Sequence, residues 1–158
     1  MQLTAFTDFG LRALMFMAAR PDRQASVREI ADHYGISRNH LVKVAHRLAQ
    51  LGYTTTARGR GGGIRLAQDP RTLRIGDIVQ RLEPHMHVVE CFDAVSNTCK
   101  VTATCELKHM LHAGRTAFLE ALNRYSLADA ARGSLASSLP VGAASNALAA
   151  APSPGKTA

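Results

Sequence analysis

The chain of 158 residues is long enough for one domain with a substantial core, or for a small domain with an appendage, and reads as one folded unit. Lys and Arg number 19 against 12 Asp and Glu, a net charge of +7 that favours a polyanionic partner, either nucleic acid or an anionic membrane surface. The start MQLTAFTDFGLRALMFMAAR lacks the basic onset and small-residue cleavage site of a signal peptide, and no later run approaches the roughly 18 apolar residues of a membrane span, so the expectation is a cytoplasmic protein without a membrane partner.

Leu11, Leu14, Met15 and Ala18 recur at helical spacing and predict a first amphipathic helix ended by Pro21, with Asp8 near its start where the macrodipole favours a carboxylate. Ser26 and Glu29 have the spacing of a capping box, and Val27, Ile30 and Ala31 predict a short helix to His33. Tyr34-Gly35-Ile36 breaks that helix. Ser37 is placed to cap a second one, whose apolar stripe is Leu41, Val44, Ala45 and Leu48, with Asn39, Lys43, His46 and Gln50 roughly opposite. Short helices joined by a tight glycine turn, the second with a basic polar face, make the helix-turn-helix pattern. Its exposed N-terminal half offers Ser37, Arg38, Asn39, His40 and Lys43 to base edges and nearby phosphates of a double-stranded DNA operator.

Tyr53–Thr56 and Ile64–Leu66 read as strands around the tip Ala57-Arg58-Gly59-Arg60-Gly61-Gly62-Gly63. No Gly-Lys-Ser/Thr follows, so a wing beside the helix-turn-helix fits better than a phosphate loop, with Arg58 and Arg60 free to reach phosphates or the minor groove. Leu73, Ile75, Ile78, Val79 and Leu82 predict a further helix stopped by Glu83-Pro84. From about Cys105, Leu107, Met110, Leu111, Phe118, Ala121, Leu122 and Tyr125 predict a long helix with more apolar stripe than a small winged-helix core can cover. A second copy of that helix is the simplest cover, which implies a two-fold homodimer. The remaining sequence is rich in Ala, Ser, Pro and Gly and reads as a disordered tail. The expected organisation is therefore mainly α: a winged helix-turn-helix DNA-binding domain with a small β-hairpin wing over 1–84, a cysteine loop over 85–105, a dimerisation helix over 106–130 and a tail over 131–158.

All three cysteines, Cys91, Cys99 and Cys105, fall in one turn-rich polar segment, with seven and five residues between them. A loop of this kind can wrap a ligand larger than one ion, whereas structural zinc sites usually set cysteines two to four residues apart. Cys105, at a helix start, gains thiolate character suited to a metal or cluster ligand. An iron-sulfur cluster commonly has four attachment points, so one is left for His109, His112, His85, His87, a carboxylate from elsewhere or an exogenous group. No nucleophile and base set, paired carboxylates or nucleotide motif rises above chance, so an enzyme is not expected.

The helix LTAFTDFGLRALMFMA, the helix-turn-helix SVREIADHYGISRNHLVKVAHRLAQLGY, the wing RGRGGGIRLA and the three-cysteine loop together resemble the NsrR/IscR family of iron-sulfur winged-helix transcription regulators, over about residues 1 to 130. Within it the chain is most similar to the nitric-oxide-sensing repressors of the NsrR type. The resemblance implies that Cys91, Cys99 and Cys105 are cluster ligands and that Asp8, reaching across the dimer, completes a 4Fe-4S cluster in preference to a 2Fe-2S one. It implies a dimeric repressor of nitric oxide detoxification genes, released from its operators when nitric oxide attacks the cluster. In IscR-type members the non-cysteine ligand is a histidine three residues after the third cysteine; here that residue is Lys108, with His109 one place further on. An IscR-like sensor of iron-sulfur supply or redox state is the alternative, followed by an iron-sulfur electron carrier or cluster-transfer protein, and zinc could replace a cluster in an aerobic preparation.

Overall fold

The computed structural model describes residues 2–57, 59 and 62–133, so Arg58, Arg60 and residues 134–158 of the expected tail lie outside the described residues. The chain runs α1 (Ala5–Ala18), α2 (Val27–Tyr34), α3 (Arg38–Gln50), β1 (Thr54–Ala57), β2 (Gly63–Leu66), α4 (Ile75–Leu82), α5 (Glu106–Asn123) and α6 (Leu127–Ala131). β1 and β2 form an antiparallel hairpin with Thr54 opposite Leu66, so the architecture is the mainly helical winged helix-turn-helix that the pattern predicts.

Local chemistry explains each boundary. The Thr4 hydroxyl accepts the Thr7 amide at 3.3 Å to begin α1, while the Glu83 carboxylate, just past α4, accepts the Thr4 amide at 3.2 Å and the Thr4 hydroxyl at 3.2 Å. The start of α1 is thereby tied to the point where the cysteine segment leaves the DNA-binding half. Ser26 caps α2 by accepting the Glu29 amide at 3.0 Å, but Glu29 turns its carboxylate to Arg23, so only half of the expected capping box forms. Gly35 closes α2 at φ 64°, a left-handed position that a side chain would strain, and the Ile36 amide behind it donates to the Ala31 carbonyl at 3.0 Å.

Leu14 and Phe16 of α1, Ile30 of α2, Leu41 and Leu48 of α3 and Ile78 of α4 are fully buried and make the core beneath the hairpin. Ala25 joins that hairpin: its amide donates to the Ile64 carbonyl at 2.9 Å and its carbonyl accepts the Ile64 amide at 2.8 Å. A side chain at Gly63 would meet the Ala25 carbonyl oxygen at 2.6 Å, which explains the glycine.

α4 and α5 lie together because Gly76 lets the Leu119 carbonyl approach where a Cβ would collide. Asn123, ending α5, caps the start of α4, accepting the Asp77 amide at 2.9 Å and donating to the Asp77 carboxylate at 2.9 Å. The predicted long helix therefore stops at Asn123. The chain then turns back, with the Leu127 amide on the Leu73 carbonyl at 2.8 Å and Leu127 fully buried in the protomer core, where Ala131 of the expected tail is also buried. A capping box on Ser126 and Asp129 starts the new helix α6 and overrides the continuing apolar period.

The Ser126 hydroxyl and amide hold the Asp129 carboxyl below the usual carboxylate range. A carboxyl depressed in the folded state stabilises that state fully above its unfolded value of about 3.9, and the contribution disappears as pH falls through the lower folded value. Acid is therefore expected to open the α6 cap selectively: protection of the Ser126 amide, which donates to the Asp129 carboxylate, should fall below about pH 4 relative to its intrinsic exchange rate, whereas in Asp129→Asn that protection should no longer depend on acid.

Candidate nucleic-acid interface and metal centre

α3 buries Leu41, Val44, Ala45 and Leu48 and so turns Arg38, Asn39, His40 and Lys43 outward, all exposed together with Ser37. Ser37 precedes α3 without capping it through its side chain, which leaves the hydroxyl on the exposed edge. His40 lies against the Phe9 ring of α1 at 6.3 Å, and Gln50 reaches His46 at 3.0 Å. Hence all five candidates are accessible at the N-terminal end of α3. Val42 is an apolar residue on the outward side, at 50% exposure. An outward valine suits contact with a thymine methyl group.

The cysteine segment is built of small hydrogen-bonded turns. Cys91 sits in a 3-10 turn over Glu90–Phe92, closed by the Phe92 amide on the Val89 carbonyl at 3.1 Å and the Asp93 amide on the Glu90 carbonyl at 3.0 Å. The Cys99 amide donates to the Asn97 side chain at 3.0 Å, and its carbonyl accepts the Thr102 hydroxyl at 2.8 Å. Cys105 is the residue from which α5 starts, at φ −85° and ψ 106°. The Ser96 hydroxyl and the Val95 amide hold Asp93, between the first two of these turns, below the ordinary carboxylate range.

All three cysteines are free thiols of intermediate burial. Among the described residues no three His, Cys, Asp or Glu side chains converge closely enough to hold one metal ion, so the fold puts the thiols on one segment without gathering them at a point. Their chemistry suits a larger, sulfur-bound iron-sulfur group: three unpaired sulfurs, part-shielded, the first two on hydrogen-bonded turns and the last where α5 begins. Asp8 is not with them; its carboxylate is held by Arg12 one turn along α1, at 2.9 and 3.1 Å. His85 and His87 stack on one another at 5.4 Å, His112 contacts Arg115 at 2.9 Å, and His109 is exposed.

α5 buries none of its residues fully within the protomer, and Leu107 and Met110 are 60% and 67% exposed. Among the described residues no helix is long and apolar enough to cross a membrane.

A protein-family profile described as Rrf2, iron-dependent transcriptional regulator, matches residues 3–133. The chain is 49% identical over 130 residues to the HTH-type transcriptional regulator NsrR of Bacillus subtilis, covering 82% of this chain and 89% of that one. It is 45% identical to the HTH-type transcriptional regulator NsrR of Shouchella clausii, covering 82% and 87%. Among solved structures, CymR (YrzC), the global cysteine regulator of B. subtilis, superposes with a TM-score of 0.65 at 26% identity over 83% of this chain and 96% of that one. IscR of T. potens superposes with a TM-score of 0.67 at 23% identity, over 90% and 94%.

Proposed function

The chain belongs to the Rrf2 family of iron-dependent transcriptional regulators, and we propose that within this family it is a dimeric repressor that senses nitric oxide through an iron-sulfur cluster. That it is a DNA-binding transcriptional regulator and not an enzyme follows from the family itself. The observation that carries the finer reading is the position of all three free thiols, on the segment that joins the DNA-binding half to α5.

Cys91, Cys99 and Cys105 would hold the cluster, with Asp8 of the second protomer as the fourth ligand and a 4Fe-4S composition favoured over 2Fe-2S. Bound there, the cluster supplies iron that reacts with nitric oxide. The residues of the chain do the rest. The exposed face of α5, with Leu107 and Met110 outward, suits a second copy of itself and would set the distance between two α3 helices. Asp8 stands one residue after the buried Thr7, on a helix whose start is fastened to Glu83, so a carboxylate donated across the dimer is carried on a fixed support. For Asp8 to serve there, Arg12 must release it. The pair is exposed, and such pairs are worth only about 0.3–0.5 kcal/mol, so the exchange is inexpensive. Loss of the inter-subunit tie then changes half-site spacing and frees the operator.

On DNA, Arg38, Asn39, His40 and Val42 would face base edges while Ser37 and Lys43 meet phosphates, with Arg58 and Arg60 of the wing as further contacts. Lys43→Ala is expected to weaken binding by a similar factor on operator and on unrelated DNA, and to reduce the slope of log affinity against log salt by about 1. Fluorescence anisotropy at several salt concentrations measures both. Unchanged affinity would show that α3 does not dock through this face.

A further inference from the structure

Resting on the cluster-binding reading above, we propose that Arg115 and Phe92, with His112, form a clamp that seats Cys91 on α5 before any cluster is bound. Phe92 directly follows Cys91 and ends the same 3-10 turn. Its ring lies under the Arg115 guanidinium, 5.1 Å from the ring centre, and beside the His112 ring at 5.9 Å. The same guanidinium reaches the Met86 carbonyl at 3.5 Å and the His112 Nε2 at 2.9 Å. An arginine N–H can only donate, so the His112 Nε2 is the acceptor in this contact. One side chain of α5 thus holds the chain on both sides of Cys91: Met86 before it and Phe92 after it.

The other cysteines do not depend on such a contact. Cys105 is fixed because α5 starts from it, and Cys99 is held by Asn97 and Thr102 within its own turn. Cys91 lies at the far end of the loop, and its register against α5 is set across space. It shares a cavity of about 390 Å³ with Lys108, His112 and Arg115, which recur on one side of α5. Lys108 and Arg115 bring positive charge to the wall beside the thiol, favourable for an anionic thiolate set. The clamp makes Cys91 the ligand that transmits the state of the loop to α5, the candidate dimer helix.

Hydrogen exchange on the full-length, metal-free protein tests this. In Phe92→Leu and in Arg115→Ala the amides of Phe92 and Asp93 should exchange roughly tenfold faster, the effect of losing a cation–π contact and a hydrogen bond, with Cys99, Thr104 and α5 unchanged. Phe92→Tyr keeps the ring and should restore slow exchange. In protein reconstituted with iron and sulfide, the visible circular dichroism should change in Phe92→Leu and return to that of the original chain in Phe92→Tyr. Unaltered exchange at Phe92 and Asp93 in both variants, acceleration spread evenly from Val89 to Thr104, or failure of Phe92→Tyr to rescue would overturn the clamp. Because the exchange is read without metal, a chain that never takes up iron would defeat the cluster reading and still leave the clamp decided.

Discussion

Cys105→Ala is expected to abolish iron and sulfide binding and to reduce operator affinity on the order of a thousandfold, to the level of unrelated DNA, because specific and non-specific binding typically differ by at least about that factor. Cys105 is the ligand candidate with the least freedom, since it is the N-cap residue from which α5 starts. Its side chain makes no cap hydrogen bond to α5, so the helix and the fold should survive the change. Melting temperature and far-ultraviolet circular dichroism should therefore stay near those of the metal-free original protein while iron content falls to background. Cys91→Ala and Cys99→Ala should behave alike. If Cys105→Ala retained a full complement of iron, the three-thiolate assignment would be wrong.

Asp8→Ala separates the ligand role of the carboxylate from its role in the fold. Asp8 is part-exposed and touches Arg12, so removing it costs the few tenths of a kcal/mol of an exposed pair plus up to about 1 kcal/mol from the helix macrodipole. That loss would not unfold a domain of this size. Removing even an outer partner of a metal ligand commonly costs roughly 10- to 100-fold in affinity, and a true ligand should cost at least as much. The variant should therefore fold normally, show an altered cluster absorption spectrum, lose iron faster to a chelator, and dissociate more readily in sedimentation. An unchanged spectrum together with an unchanged nitric oxide response would remove Asp8 from the ligand set and return the choice to the histidines, of which His109 is the exposed one nearest Cys105 in sequence.

Much of this was legible in the residues themselves. The stripe Leu41, Val44, Ala45 and Leu48 forecast which side of α3 is buried and so which side chains face out, because burial and helical period are the same fact seen twice. Gly35 and the glycine-rich hairpin tip likewise announced their turns. What failed did so where two signals competed. Phe118, Ala121, Leu122 and Tyr125 keep a helical spacing, and that run hid the break at Asn123, although Ser126 and Asp129 carried the capping spacing that marks the start of α6. Glu29 had the spacing of a capping box, yet an arginine six residues before it claimed the carboxylate, a contact local pattern cannot show. The union of Ala25 with Ile64 had no local signature either, because a single bridge residue has no period.

The candidate site divides in the same way. Residue type and proximity in sequence make the cysteines candidates, and the structure shows them as free thiols of intermediate burial. The Arg115, Phe92 and His112 contacts join residues on the loop to residues on α5 and emerge only in three dimensions. Asp8 is intermediate: its helix and its turn were readable, while its pairing with Arg12 shows the neighbour it must leave in order to act across a dimer.

The central claim is that iron-sulfur occupancy, read by nitric oxide, governs operator binding. Protein purified without oxygen should be analysed for iron, sulfide and visible absorption, then titrated with nitric oxide while operator binding is followed in the same samples. The expected result is a cluster chromophore that is lost in step with DNA binding as nitric oxide is added. A chromophore that survives nitric oxide, or DNA binding indifferent to its loss, would contradict that account and favour a sensor of iron-sulfur supply.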